Sequence, residues 1–205
     1  MMGLASVALT LAALAAPAQA GIIFAGSTLG QFDAPLAPAL PNPQATSVLG
    51  GLTFTGASFS VEEAFGFAAI GSVGTTQNLG TMSLTTASYN YNNHRFLLQL
   101  DLTLPLTITS GNDPTNFTAN IYGGVQSTMG GGSIVFFDAS ESYTFNNPQI
   151  GSGEFSLFID NVNITPGLSA PITGRIFVSN FVPAPEASSL ALLGLGAMGL
   201  LRRRR

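Results

Sequence analysis

The sequence predicts an all-β fold, an antiparallel β-sandwich of jelly-roll character, flanked by an N-terminal signal helix and a C-terminal transmembrane helix. Three observations carry that expectation. Apolar and polar residues alternate at period two in several short runs, most clearly over residues 96–104. Gly, Asn, Pro and Ser cluster between the runs, roughly every 8–12 residues, as turns in a sandwich do. Near-continuous apolar stretches occur only at the two ends, and the middle has no helical stripe.

Residues 4–16 read LASVALTLAALAA, an uncharged segment of 13. A bilayer span needs about 20 residues, but this length suits the core of a secretory signal. Pro17 breaks the helix, and Ala18-Gln19-Ala20 offers signal peptidase its small-x-small pattern. Cleavage is expected after Ala20, making Gly21 the first mature residue. Met1-Met2-Gly3 holds neither Lys nor Arg, which points to a start codon further upstream.

Residues 21–48 read as a Pro/Ala-rich arm. Pro35, Pro38, Pro41 and Pro43 favour an irregular spacer, with room for an edge strand over residues 22–24. The sandwich domain is expected over residues 49–180. Over residues 96–104, Phe96, Leu98, Leu100, Leu102 and Leu104 face one way, and Leu97, Gln99, Asp101 and Thr103 the other. Further strands are expected at 52–55, 57–61, 80–87, 116–122, 133–137, 142–145, 155–159 and 172–178. Gly130-Gly131-Gly132 reads as a flexible hairpin connection. No fixed-period repeat is present.

Residues 181–205 divide into three parts. Val182, Pro183, Pro185, Glu186, Ala187 and Ser188 belong to a Pro-rich polar motif whose prolines hold the chain extended for a processing enzyme. An apolar run of 12 residues follows from Leu190 to Leu201. Arg202, Arg203, Arg204 and Arg205 then stop transfer on the cytoplasmic side. At 1.5 Å per residue this helix is only about 18–22 Å long. Arginine snorkelling and local thinning would let it meet a hydrocarbon core of about 30 Å.

Composition narrows the function. Charged residues make up 8% of the chain, and Lys and Cys are absent. Without the residues from Glu186 onward, nine acidic residues face two basic ones, a net of −7. Such a surface repels nucleic acid. The missing cysteines exclude disulfides, thiol catalysis and Cys-ligated zinc.

The tail resembles the PEP-CTERM sorting signal of Gram-negative bacteria that produce extracellular polysaccharide. Val182-Pro183-Ala184-Pro185-Glu186-Ala187-Ser188 matches its motif, and Leu190-Ala191-Leu192-Leu193-Gly194-Leu195-Gly196 its helix start. Ala187 departs from it, standing where Pro-Glu-Pro has its second proline. The resemblance implies an exosortase, a membrane cysteine transpeptidase, cutting near Pro185-Glu186. The implied partners are signal peptidase, that exosortase, the inner membrane transiently, and extracellular polysaccharide; nucleic acid is not among them. The middle also resembles choice-of-anchor K domains, on Leu52-Thr53-Phe54-Thr55-Gly56, the strand at 96–105 and the Gly-x-x-x-Phe-Ser-Leu over 151–157. That family implies a fold and no reaction.

No catalytic, cofactor or metal set emerges. His94 is the single histidine and lies in a polar stretch, Tyr89-Asn90-Tyr91-Asn92-Asn93-His94-Arg95, which reads as a solvent-exposed loop. One His excludes a multi-His zinc site within the chain. Glu62-Glu63 and the Asp138/Glu141 pair read as solvated turns. Asp160-Asn161-Val162-Asn163 offers oxygen ligands of the kind Ca²⁺ takes but lacks the EF-hand glycine. The expectation is a non-enzymatic exported surface or matrix protein, structural or adhesive in a biofilm or exopolysaccharide setting. The alternatives are a carbohydrate-binding or ice-binding-type module, suggested by the Tyr/Asn stretch and Thr-rich strands, and a carboxylate-based glycosidase.

Overall fold

The computed structural model describes residues 21–33, 43–71, 77–105, 108–111 and 114–184. Among the described residues every regular element is a strand, and every strand pair is antiparallel. The expected signal helix and transmembrane helix lie outside the described residues, as do Pro35, Pro38 and Pro41 of the arm. No helix among the described residues is long and apolar enough to cross a membrane.

The largest sheet has the order β14 (Val162–Ile164), β11 (Met129–Phe136), β10 (Thr115–Gln126), β8 (His94–Leu104), β1 (Ile23–Phe32), β4 (Ser58–Glu62), with β7 (Tyr89–Asn90) also pairing with β10. A second sheet runs β5 (Phe67–Ile70), β16 (Gly174–Pro183), β13 (Gly151–Ile159), β12 (Ser140–Asn147), β9 (Ile108–Ser110). A third runs β15 (Ser169–Pro171), β6 (Thr81–Leu84), β3 (Leu52–Thr55), β2 (Thr46–Leu49).

The large sheet packs one face against both smaller ones, which makes the sandwich. Phe24 on β1 meets Phe155 on β13 edge-on at 4.8 Å, and Phe96 on β8 meets Phe54 on β3 at 5.1 Å. Tyr143 of β12 stacks on Phe155 at 4.8 Å. These rings are all fully buried. Each contributes about 1.5–3 kcal/mol through removal from water, and each aromatic pair about 0.5–1.5 kcal/mol more. The period-two pattern of β8 holds over most of its length: Phe96, Leu98, Leu100 and Leu102 are buried while Asp101 and Thr103 are exposed, but Leu97 on the other face is also buried and Leu104 is half-buried.

The first departure from the sequence reading is β1. A segment expected as arm forms a ten-residue strand inside the sheet, paired with β8 on one side and β4 on the other. Its inward residues are Phe24, Gly26, Thr28, Gly30 and Phe32. The glycines are required because large rings lie over them. A Cβ on Gly30 would sit 2.5 Å from Cδ1 of Phe54 and 2.8 Å from Cε2 of Phe96. Thr28, also buried, keeps its hydroxyl satisfied by donating to the Leu79 carbonyl (3.1 Å) and accepting from the Ala57 amide (3.1 Å).

The second departure is the glycine run. Gly130, Gly131 and Gly132 belong to β11, and the hairpin turns at Ser127-Thr128, where Ser127 has φ 60°. Residues 116–122 were expected as the strand, but β10 continues to Gln126 because Gly123 and Gly124 pair with Gly132 and Gly131.

Candidate functional site

Two regions bear on function: the strand that leads into the C-terminal motif, and a Tyr/Asn/Gly-rich surface on the large sheet. The first begins in β16, whose alternation holds from Gly174 to Val178. Its register against β13 then shifts between Ser152 and Glu154, and Asn180 takes φ 52°. That bulge returns Phe181 to the core, where it stacks on Phe145 at 6.3 Å. Asn180 Nδ2 donates to Glu154 Oε2 at 2.8 Å, tying the bulge across the pair.

Beyond the bulge, Val182 pairs with Ser152, Pro183 pairs with Gly151, and the Ala184 amide donates to the Ile150 carbonyl at 3.0 Å. Pro183 has no N–H to give and so suits the last position of a strand. Gly151, at φ 122°, is the residue that admits it: a Cβ there would lie 2.1 Å from the Val182 carbonyl oxygen and 2.8 Å from Pro183 Cα. The domain therefore reaches Pro183, three residues into the segment expected as tail. Val182 and Pro183 are exposed at its end. Gly21 is described and lies just ahead of β1, where the Glu63 amide donates to the Ile22 carbonyl at 2.8 Å. Ala18, Ala20, Pro185, Glu186, Ala187, Ser188, Arg202, Arg203, Arg204 and Arg205 lie outside the described residues.

The second region contains the stretch expected as an inert loop. His94 instead opens β8, and its Nδ1 stands 2.7 Å from Asp33 Oδ1, a partner 61 residues away. Its Nε2 lies 3.5 Å from the Tyr89 hydroxyl. The pair is part-exposed, so solvent screens it and it contributes little to stability. Tyr91 is fully buried, and its hydroxyl accepts from the Gly51 amide at 3.2 Å. Burial pushes the Tyr91 phenol above its ordinary 10.0, although the Gly51 hydrogen bond opposes the shift; the nearby Tyr89 adds to it. Asn92 Oδ1 accepts from the Gly123 amide at 2.9 Å, fastening this stretch to β10.

Two of the acidic candidates, Glu63 and Asp160, are bonded within the fold. Glu63 Oε1 accepts from the Gly66 amide. Asp160 accepts from Thr173 Oγ1 (2.8 Å) and Arg175 Nη2 (2.8 Å), and Asn161 Oδ1 accepts from the Phe136 amide (2.9 Å). Of the residues considered for Ca²⁺, Asp160 and Asn161 thus have their side-chain oxygens engaged by the protein's own donors. Among the described residues no three His, Cys, Asp or Glu side chains gather as a metal site would require.

Sequence reasoning missed Tyr122, which stands 49% exposed on β10 beside the glycines. The doublets Gly123-Gly124 and Gly131-Gly132 are the signal that points there.

An antiparallel β-sandwich that hands its last strand directly to a Pro-rich motif, an apolar run and an arginine cluster defines a class: a β domain joined to a C-terminal sorting segment. The family model described as the PEP-CTERM protein-sorting motif matches residues 183–205, starting at the last residue of β16. Such a motif marks a chain for export and membrane-associated sorting by exosortase. No curated protein and no solved structure matches the chain.

Proposed function

We propose that this is a non-catalytic cell-surface or matrix protein, structural or adhesive in a biofilm or exopolysaccharide setting, released from its membrane segment by exosortase near Pro185-Glu186. The observation that carries the reading is the junction itself, where the family-model match begins at Pro183, the last residue of β16. Five residues, 185–189, separate Ala184 from the apolar run at Leu190. Even fully extended they span only about 20 Å. The folded domain is accordingly held close to the bilayer until the chain is cut, on the outer side if Arg202 to Arg205 stay within.

The domain's chemistry agrees with a presentation role. Its charge repels anionic headgroups once the tail is gone, and Glu63 and Asp160 are engaged by the Gly66 amide, the Thr173 hydroxyl and the Arg175 guanidinium. Signal peptidase acting after Ala20 would leave Gly21 at the entry to β1. The test is deletion of the gene in the native host, scored by floc or biofilm formation and restored by the full-length gene. Loss of aggregation is expected. Unchanged aggregation in the deletion strain would refute the adhesive role.

A further inference from the structure

We propose that the glycine-floored surface between β7, β10, β11 and β14 binds an uncharged polysaccharide chain. Two shallow depressions adjoin there. One, of about 340 Å³, lies among Tyr122, Gly131, Ser133, Asn163 and Thr165. The other, of about 660 Å³, lies among Tyr89, Asn90, Asn92, Gly124 and Gln126. Both have Gly123 in their lining, so they are neighbours on the surface.

The floor is bare backbone. Gly123 pairs with Gly132, Gly124 with Gly131, and Val125 with Gly130. Glycine inside a strand of ordinary φ costs about 0.5–1 kcal/mol relative to alanine, which applies to Gly124, Gly131 and Gly132 and not to Gly123 and Gly130 at positive φ. Backbone geometry accounts for four of the five: Gly123 and Gly130 have φ 104° and 98°, their Cβ atoms would meet the carbonyl oxygens of Gly131 and Gly124 at 2.3 and 2.1 Å, and Cβ atoms on Gly124 and Gly131 would meet those of Tyr89 and Ile164 at 3.0 and 2.7 Å. It does not account for Gly132, where a Cβ would reach only Ile164 Cγ2 at 3.4 Å. The result is a stretch of sheet where another chain can approach the backbone closely.

The rim decides the ligand class. It offers the exposed ring of Tyr122, the part-exposed ring of Tyr89, and the amides and hydroxyls of Asn90, Asn163, Gln126 and Ser133. Amides and hydroxyls each donate and accept, matching sugar hydroxyls, which do the same. Tyrosine pairs an apolar face with a polar tip and so suits the C–H face of a pyranose ring. Among the described residues no Asp, Glu, Lys or Arg lines either depression. With the exported part carrying a net of −7, an anionic polymer is repelled rather than held. Two neighbouring depressions give a chain more contact than a monosaccharide.

This site deepens the adhesive reading and rests on it for its setting. The test is isothermal titration calorimetry of the purified exported protein with neutral hexaoses (cello-, xylo-, manno- and galacto-series) and with alginate as the anionic comparator. At least one neutral series is expected to bind while alginate does not. Tyr122→Ala should weaken binding roughly ten-fold, and Gln126→Ala should weaken it as well, with unfolding temperatures unchanged. Phe177→Ala, an exposed aromatic on the second sheet, should leave binding intact. Silence with every neutral series at millimolar concentration, equal binding of alginate, or an unaffected Tyr122→Ala variant would each overturn the site. A blank titration beside a clear deletion phenotype sinks the binding site alone; binding without a phenotype sinks the adhesive role alone.

Discussion

Replacing Gly30 by alanine tests whether β1 is part of the core. The new Cβ would lie 2.5 and 2.6 Å from two atoms of the Phe54 ring and 2.8 Å from the Phe96 ring. Neither ring has a free direction in which to retreat. Phe96 is already within 5.1 Å of both Phe32 and Phe54 and 6.4 Å of Phe136, and all four are buried. Overpacking of this kind costs about 1–3 kcal/mol, while removing a strand-interior glycine returns about 0.5–1 kcal/mol. A net loss of about 1–2 kcal/mol follows, which in a domain of this size lowers the unfolding temperature by roughly 2–8 °C. The matched control is Gly132→Ala, also inside a strand, where the added Cβ meets one methyl at 3.4 Å. That variant should be neutral or slightly stabilised. Urea unfolding of the purified protein, followed by circular dichroism, measures both. Equal stability of the two variants would refute the packing of β1 beneath Phe54 and Phe96.

Other perturbations read other parts of the structure. Tyr91→Phe leaves the Gly51 amide without its acceptor and should cost about 1–3 kcal/mol at neutral pH. Because burial raises the Tyr91 phenol above 10.0, the folded state holds that proton more tightly than the unfolded chain. Its stability contribution is full below about pH 10 and declines as pH rises from there toward the raised value; Tyr91→Phe should flatten that alkaline decline in urea midpoints. Gly151→Ala forces alanine to φ 122° against the Val182 carbonyl, and hydrogen exchange at the Ala184 amide should rise about ten-fold or more. Unchanged exchange would mean the strand does not hold the motif's start. His94→Ala removes a part-exposed pair with Asp33 and should cost less than about 1 kcal/mol in thermal unfolding.

How much of this was legible follows from which side chains bear the apolar signal. β8 could be read because its own leucines and phenylalanine make its buried face. β1 could not, because its inward positions include Gly26, Thr28 and Gly30, and the rings that fill the space come from β3, β4 and β8. Pattern reading sees a residue's own hydrophobicity and not a partner's. The glycine run misled for a related reason. Glycine commonly marks turns, but here the turn falls at Ser127, which has φ 60°, while Gly130 at φ 98° and its neighbours lie within β11 and serve close strand approach. Likewise His94 looked solitary because Asp33 is distant in sequence. The tail was the most legible part, since its order of motif, apolar run and arginines needs no tertiary contact. What the sequence did not reveal is that β16 runs into the motif without a linker.

Mass spectrometry of the intact protein from its native host tests the account most directly. The account predicts a mass for a chain that begins at Gly21, ends near Pro185-Glu186 and has lost all four terminal arginines, recovered from outside the inner membrane. A cytosolic species still bearing Arg202 to Arg205 would contradict it.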